Sequence, residues 1–327
     1  MMVISFIIPV YNVQKYIEDC LVSIVCQLND KIEIIFINDG TEDSSIKIVE
    51  SYINALSLEQ QRNFVILHQK NQGQSVARNN AIKKARGQYI GFIDSDDIIE
   101  ENYFEKILNI IENYRPDIIR FKYATFSNLL NEKIPQNIFL ANQGLQLINN
   151  EILVNIFNDM LWFSVINVIK KNFFDKNEYP VGVYFEDVNL ISKIFTQAKN
   201  IYFLNETLYF YRIHQNSSMR NASTNNVLKL VHSHKEILRE IEFRLQSEKI
   251  YSSIFIAFSI SYFNLLIKTG HFYEALHQYL VFKKNKKIID MKYINNKVYI
   301  NYYHFGIVYI LFMYATKLLN YMKMKKK

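Results

Sequence analysis

The side chains best suited to chemistry in this sequence are carboxylates that follow apolar runs. Asp94-Ser95-Asp96 comes directly after the apolar run Tyr89–Ile93. Carboxylate oxygens are preferred ligands of hard divalent cations, and such a cation eases the departure of a diphosphate leaving group by neutralising its charge. In the alternative interpretation, Asp96 or Asp97 caps the helix that follows.

A second acidic position, Asp39, follows the apolar run Ile32–Ile37 and precedes Gly40. An Asp-Gly pair at the end of a strand is often simply a turn. Alternatively, the carboxylate accepts a hydrogen bond from a ring nitrogen of a base, while glycine lets a ligand approach closely. Both interpretations are open at this point.

The stretch from Asn71 to Asn79 contains the third candidate, Arg78. Gly73 can end a loop, and Ser75 can cap a helix whose N-terminus favours phosphate. Arg78 lies one turn into that helix, where it could pair with a phosphate or with a carboxylate of the site. The alternative is an arginine on an exposed helix face.

Glu186-Asp187 precedes a predicted helix, Val188–Phe195, and His214 follows a predicted strand. A carboxylate at the start of a helix is kept ionised by the helix dipole and can act as a general base. A capping pair is the alternative. His214 is either structural or lies where a loop folds back over a phosphate.

The elements that must position these residues alternate between apolar strands and amphipathic helices. Strands are predicted at Val3–Pro9, Ile32–Ile37, Phe64–His68, Tyr89–Ile93, Ile118–Tyr123, Tyr202–Leu204 and Leu208–Ile213, and helices at Lys15–Leu28, Ser44–Leu56, Ser75–Ala85, Asn102–Tyr114 and Val188–Phe195. This pattern is typical of βαβ units on a parallel sheet. Because ligands bind at the carboxyl ends of such strands, Asn12, Asp39 and Asp94 are expected at one edge.

Composition and charge limit the classes of function. The chain has 327 residues and a formal net charge of +7, with only 8 Gly and 4 Pro, which argues against disorder. No recognisable nucleic-acid reader accompanies the basic residues, so no nucleic-acid partner is expected. From Asn225 onward the pattern is helical only. The oligomeric state is left open.

The C-terminal third combines basic clusters with apolar runs. Lysines cluster at 283–287 and at 323–327. Such clusters beside apolar helices fit peripheral contact with an anionic membrane, or else a solvated tail. Ile250–Ile267 contains polar residues and is expected to be a buried or interfacial helix. Phe305–Thr316 is too short to span a bilayer and is expected to lie at the interface or to pack on the domain.

Several short motifs occur in a fixed order over roughly the first two-thirds of the chain. They are Pro9-Val-Tyr11-Asn12, Asn38-Asp39-Gly40-Thr41-Glu-Asp43, Asn71-Gln-Gly73 with Ala77-Arg78-Asn79, Asp94-Ser95-Asp96-Asp97 and Glu186-Asp187. Together they closely resemble glycosyltransferase family 2. The second motif departs from the family's usual Asp-Asp-Gly-Ser-Thr-Asp at Asn38, Thr41 and Glu42.

The resemblance implies an α/β fold of the GT-A type, a Rossmann-like nucleotide-sugar-binding domain with a mixed, mainly parallel sheet. We expect this domain at residues 1–220, with a nucleotide-sugar half at 1–125 and an acceptor half at 126–220. We expect residues 221–327 to form a helical region that associates with the membrane.

The resemblance also implies roles for residues that bind the nucleotide. Pro9, Tyr11 and Asn12 would line the nucleoside pocket, Glu18 would close it, and Asp39 would hydrogen-bond uracil. These roles imply a nucleotide-sugar donor, usually a UDP-sugar.

Further roles concern the diphosphate and the reaction. Arg78 would lie beside the base and the acidic cluster, and Asp94 and Ser95 would contact the ribose or sugar. Asp96 would bind Mg²⁺ or Mn²⁺, with His214 as a second candidate ligand. The implied reaction inverts the configuration of the transferred hexosyl or N-acetylhexosaminyl group, and Asp187 is the expected base.

Processive members of the family contain Gln-x-x-Arg-Trp, whereas the single Trp162 follows Asp159-Met-Leu. We therefore expect transfer of one sugar, to a glycan or lipid-linked acceptor of bacterial surface polysaccharide or glycolipid synthesis. The expected location is the cytoplasmic face of the membrane. Two alternatives are a nucleotidyltransferase, disfavoured because the loop Tyr11–Lys15 lacks glycine, and a catalytically degenerate membrane-associated scaffold.

Overall fold

The computed structural model describes residues 2–127, 133–214, 224–313 and 316. The chain divides into two compact units. Unit 1 comprises residues 1–149, 161–182 and 186–221, and unit 2 comprises residues 150–160, 183–185 and 222–327.

Unit 1 is built on one mixed sheet. Its strands are β1 (Ile4–Val10), β2 (Ile32–Asp39), β3 (Phe64–Gln69), β4 (Tyr89–Phe92), β5 (Ile98–Ile99), β6 (Ile118–Phe126), β7 (Ile134–Pro135), β8 (Gly144–Leu147), β9 (Asn167–Lys170) and β10 (Asn200–Arg212). The order is β3-β2-β1-β4-β9-β6-β10-β5, with β7 beside β6 and β8 beside β10. The first four strands in this order are parallel, β6 and β10 are parallel, and β9 is antiparallel to both of its neighbours.

Helices join the strands of unit 1, as the apolar periodicity predicts. They are α1 (Ile17–Val25), α2 (Ser45–Asn54), α3 (Leu58–Gln61), α4 (Gln74–Lys84), α5 (Tyr103–Tyr114) and α7 (Glu186–Gln197). The core is rich in aromatic rings, and Phe6 packs against Tyr103 and Phe104 with ring centroids 5.5 and 4.8 Å apart. The predicted α/β class with a mixed, mainly parallel sheet is confirmed.

The structure corrects two details of the sequence analysis. The strands expected at Tyr202–Leu204 and Leu208–Ile213 form the single strand β10, whose pairing with β6 shifts in register around Thr207. A bulge absorbs the extra residues, so the polar break does not end the strand. In addition, α4 begins at Gln74 with Gly73 as its N-cap, so Ser75 lies inside the helix rather than capping it.

Unit 2 is helical in its described residues. Its helices are α6 (Asn150–Asp159), α8 (Thr224–Ser247), α9 (Ser252–Lys268), α10 (Phe272–Asn285) and α11 (Lys297–Phe305), and residues 307–313 are also helical. Within this unit α9 packs against α6, α8, α10 and α11. The helical segment Lys249–Lys268 is long and apolar enough to cross a membrane, but 67% of it is buried inside the protein. Of the two expectations for Ile250–Ile267, a buried or an interfacial helix, the buried helix is the correct one.

Gly91 of β4 allows a tight contact in the core of unit 1. It pairs with Phe6 of β1, and a Cβ atom at Gly91 would lie 2.3 Å from a ring carbon of Phe6. We expect Gly91→Ala to lower the free energy of unfolding by about 1–3 kcal/mol through overpacking. The measurement is urea unfolding of Gly91→Ala, of Phe6→Leu and of the double variant Gly91→Ala/Phe6→Leu. The smaller side chain should recover part of the loss, and strictly additive effects would contradict the proposed contact.

Candidate active site

The loops after β1 and β2 are tied together by polar side chains. Asn12 has a left-handed backbone (φ 54°), and its N–H donates to Thr41 Oγ1 over 2.8 Å. Asn12 Oδ1 accepts from the N–H of Glu42, and the N–H of Gln14 donates to Asp43. The departures from the family pattern at Thr41 and Glu42 therefore keep a hydrogen-bonding role.

Three other residues expected in the nucleoside pocket lie close to this loop pair in the chain. Pro9 is within β1, directly opposite Ile37 of β2. Tyr11 follows the strand and has a 44% exposed side chain. Glu18 lies exposed in the first turn of α1. Their contact with a nucleoside stays a prediction.

Asp39 holds the loop that leads into α4. Its carboxylate accepts hydrogen bonds from Gln69 Nε2 and from the backbone N–H groups of Gln72 and Gly73, over 2.8, 2.9 and 2.9 Å. A Cβ atom at Gly40 would lie 2.7 Å from the backbone nitrogen of Asn71. Glycine therefore allows the close approach of this loop, and the Asp-Gly pair is more than a local turn.

Arg78 is the centre of the acidic cluster. Its guanidinium donates to Asp94 Oδ1 over 2.9 Å and to Glu186 Oε1 over 3.0 Å, and lies 3.6 Å from Asp187 Oδ1. The side chain is only 3% exposed, which excludes the surface-arginine alternative. Burial lowers the pKa of Arg78, but Asp94 and Asp187 outweigh burial and raise it, so the residue stays charged.

Aromatic rings and an amide complete the surroundings of this guanidinium. Its Cζ atom lies 5.8 and 5.5 Å from the ring centroids of Phe92 and Tyr179. Asn79 exchanges two hydrogen bonds with the backbone of Tyr179, each 2.9 Å long. Because Asn79 follows Arg78 on α4, the helix and the ring that covers the guanidinium are fixed together.

One cation cannot neutralise three carboxylates, so at least one carboxyl group is favoured in its neutral form. Glu186 is the most buried of the three, with a side chain 5% exposed. Burial, helped by the nearby charge of Asp187, raises the pKa of Glu186 to about 7. Burial also raises the pKa of Asp94, against the lowering effect of Arg78.

Asp187 differs from Glu186 in exposure and in partners. It lies in the first turn of α7, and its side chain is 20% exposed. Its carboxylate accepts from Ser164 Oγ over 2.7 Å and from Ser164 N–H over 3.2 Å. The Ser164 hydroxyl is in turn 2.6 Å from the Tyr179 hydroxyl. These bonds fix the carboxylate while leaving part of it accessible to a ligand.

Asp96 is paired with His214 rather than with a helix end. Its Oδ2 atom lies 2.8 Å from His214 Nε2, and the His214 ring packs against Tyr16, with ring centroids 4.6 Å apart and planes tilted by 30°. The strand β5 separates Asp96 from α5, whose N-cap is Asn102. The interpretation of Asp96 or Asp97 as the cap of this helix is therefore wrong.

The pair Asp96–His214 fits a cation shared with a diphosphate. Carboxylate and imidazole are both metal ligands, and the two side chains meet at Asp96 Oδ2 and His214 Nε2, where one ion could take a ligand from each. Within that part of the chain, no group of three or more His, Cys, Asp or Glu is arranged to hold a metal. Two protein ligands leave other positions of the ion for phosphate oxygens and water, and the imidazole suits Mn²⁺ better than Mg²⁺, which prefers oxygen ligands.

Comparison with known proteins identifies the family. Residues 5–169 match the family described as "Glycosyl transferase family 2". The chain belongs to this family. It is 32% identical to "Glycosyltransferase GlyA" of Streptococcus pneumoniae over 66% of its own length and 31% of GlyA, and 30% identical to "Glycosyltransferase GlyG" of the same strain over 66% and 73%. It therefore spans about a third of one relative and three-quarters of the other.

The fold of this family 2 chain has a counterpart among solved structures. The structure of S. aureus TarS 1-349 in complex with UDP-GlcNAc superimposes with a TM-score of 0.59 at 23% identity, over 73% of this chain and 66% of that one. The GT-A fold implied by the resemblance is confirmed. The roles assigned to individual residues remain predictions.

Several residues that were not predicted from the sequence hold the motif Asp94-Ser95-Asp96-Asp97 in place. Tyr209 OH donates to Asp97 over 2.6 Å and accepts from the N–H of Asp94 over 3.0 Å. The Arg212 guanidinium donates to the backbone oxygen of Asp96 and to Asp19. Only the position of Arg212, two residues before His214, offered a signal in the sequence.

Glu186 provides a test of the charge balance of this cluster. Its pKa lies at about 7 in the folded chain against an ordinary value of 4.5, so the folded state binds the extra proton between these values. Stability should therefore fall as pH rises through this window, by at most about 3 kcal/mol from this group. Glu186→Gln mimics the neutral form and should remove this contribution.

Urea unfolding at pH 5 and pH 8 measures the effect. We expect the advantage of Glu186→Gln over the natural protein to grow with pH. The exposed Glu178→Gln, whose side chain is 57% exposed, serves as the control and should show no such trend. A constant difference between the natural protein and Glu186→Gln would contradict the assignment.

Proposed function

We propose that this protein transfers one sugar from a nucleotide sugar, a UDP-sugar, to an acceptor hydroxyl with inversion at the sugar C1. The observation that carries the proposal is the Arg78 cluster at the carboxyl end of β4. There a permanently charged guanidinium binds Asp94 and lies within 3.6 Å of the partly exposed Asp187. This arrangement supports the proposed pairing of a sugar-contacting residue, Asp94, with a carboxylate able to take a proton, Asp187.

Asp187 is the proposed general base. Its exposure gives an acceptor hydroxyl access, whereas Glu186 is buried and accepts hydrogen bonds from Arg78 and Gln74. The two hydrogen bonds from Ser164 orient the Asp187 carboxylate. Asp187 then accepts the proton of the acceptor oxygen as that oxygen attacks C1 and the bond from C1 to the diphosphate breaks.

Asp96 and His214 are the proposed ligands of Mg²⁺ or Mn²⁺. Such an ion supplies positive charge that stabilises the departing diphosphate. Tyr16 supports the His214 ring by packing against it. Asp94 and Ser95 are proposed to contact the ribose or the sugar, and their orientation is supported by the hydrogen bond from the Asp94 N–H to Tyr209.

The nature of the two substrates is part of the proposal. UDP is favoured because TarS, which has the same fold, was solved with UDP-GlcNAc. The transferred group is proposed to be a hexosyl or N-acetylhexosaminyl unit. The proposed acceptor is a glycan or lipid-linked hydroxyl of bacterial surface polysaccharide or glycolipid synthesis, at the cytoplasmic face of the membrane.

Two other functions are less well supported. A nucleotidyltransferase needs a glycine-rich basic loop after β1, but residues 11–15 contain no glycine and fold onto the β2 loop instead. A degenerate scaffold would not require a buried arginine with three carboxylate neighbours. Sugar release from UDP-sugars, measured with and without Mn²⁺, separates these functions from transfer.

Asp187→Asn tests the base. We expect transfer to fall by about a hundredfold or more, since general-base catalysis typically contributes this much, while UDP affinity stays within about twofold. The assay compares sugar transfer, or sugar release to water if the acceptor is unknown, with UDP binding by calorimetry. Asp175→Asn, an exposed aspartate of unit 1, is the matched control. Transfer at the natural rate by Asp187→Asn would contradict the assignment.

Asp96→Ala tests the metal ligand. In the presence of Mn²⁺ we expect UDP affinity to fall by about tenfold or more, because a charged ligand to the ion is lost. Without divalent ions the affinity should be unchanged or higher, because a negative charge near the diphosphate is removed. Calorimetric titration with UDP, once in the presence of Mn²⁺ and once in the presence of EDTA, measures both affinities. Equal Mn²⁺ dependence in the variant and the natural protein would disprove this role.

A further inference from the structure

Helix α10 of unit 2 presents an apolar face to solvent. The exposed fractions of Phe272, Tyr273, Leu276 and Leu280 are 65%, 81%, 54% and 54%. At 100° per residue these four side chains project from one side of the helix. Lys283 and Lys284 follow on the same side and are also exposed. We call these six residues the α10 surface.

The opposite face of α10 is held in the core of unit 2. Ala275 and Phe282 are each 1% exposed, and the Phe282 ring lies 4.7 Å from that of Tyr302 and 6.2 Å from that of Phe255. Asn285 donates to Glu242 over 2.8 Å. These contacts fix the rotation of the helix, so the apolar side chains of the α10 surface cannot turn inward.

A second exposed apolar strip adjoins the α10 surface within unit 2. Phe305, Val308, Leu311 and Phe312 are 62%, 70%, 62% and 63% exposed. A Cβ atom at Gly306 would lie 2.4 Å from the hydroxyl of Tyr279, so this segment lies against α10. Large exposed apolar patches of this kind mark sites of interaction rather than ordinary surface.

Charge indicates which partner fits. The apolar residues of α10 are followed by four lysines within five positions, 283–287, and Lys286 Nζ lies 4.5 Å from the ring centroid of Tyr303. None of the six residues of the α10 surface is a carboxylate that could pair with these lysines on a second copy. An apolar strip beside a lysine cluster instead matches acyl chains beneath anionic headgroups.

We propose that the α10 surface binds an anionic lipid bilayer peripherally, with its apolar side chains in the interface and its lysines at the headgroups. The inference extends the proposed function, because a lipid-linked acceptor would be held at such a surface. The buried helix α9 takes no part, since its apolar side chains already pack inside unit 2.

Sedimentation of the full chain with lipid vesicles tests the proposal. Neutral vesicles contain phosphatidylcholine alone, and anionic vesicles contain added phosphatidylglycerol. We expect binding to anionic vesicles that weakens with salt. Lys283→Gln/Lys284→Gln should lower partitioning into anionic vesicles by about tenfold or more. Leu276→Gln/Leu280→Gln should lower it by about tenfold or more through lost apolar burial.

Matched controls come from unit 1. Leu58→Gln removes a leucine that is 78% exposed on α3, and Lys47→Gln/Lys176→Gln removes two exposed lysines. Both should bind vesicles as the natural protein does. Thermal unfolding should show that every variant is folded, which is expected because only exposed side chains change.

Three results would overturn the proposal: no binding to anionic vesicles, equal binding by the α10 variants and the natural protein, or a dimer in light scattering that only the α10 variants disrupt. UDP binding is measured in parallel. Vesicle binding without UDP binding would leave the surface assignment standing and reject the proposed function. UDP binding without vesicle binding would reject the surface assignment and leave the proposed function standing.

Discussion

The balance of charge around Arg78 is the constraint on which the rest of the site depends. One buried guanidinium faces Asp94, Glu186 and Asp187, which come from two distant parts of the chain. Removing the guanidinium would leave the buried Glu186 and its two partly exposed acidic neighbours without a counter-charge, which should destabilise the folded state. The sheet edge, the start of α7 and the helix α4 are therefore held together by electrostatics as much as by apolar packing.

Within that constraint the carboxylates differ in burial and in hydrogen-bond partners. Glu186 is driven towards its neutral form by burial, whereas Asp187 keeps access to solvent and two hydrogen bonds from Ser164. Asp96 lies farther along the same loop and faces His214. A partly exposed carboxylate that can accept a proton thus lies beside a buried one that is held by the guanidinium.

The sequence predicted the sheet well because its strands are short apolar runs bounded by polar residues. It predicted the position of Asp94 and Asp96 at the sheet edge but left their state open, since capping and metal binding share residue types. The burial of Arg78 could not be foreseen, because it depends on residues 16 and more than a hundred positions away. The continuity of β10 was also missed, because a bulge is set by pairing with β6 rather than by local composition.

The hydrogen bonds of Asp39 have a consequence for how such an enzyme can change its donor. This carboxylate, expected at the nucleobase, also fixes the loop through Gln72 and Gly73, directly before the helix that carries Arg78. A substitution at Asp39 would therefore disturb the loop before the helix that carries the buried guanidinium. If Asp39 also contacts the base, as proposed, base preference and the geometry of the acidic cluster would share one residue, and a change of nucleotide would have to proceed through other positions of the pocket.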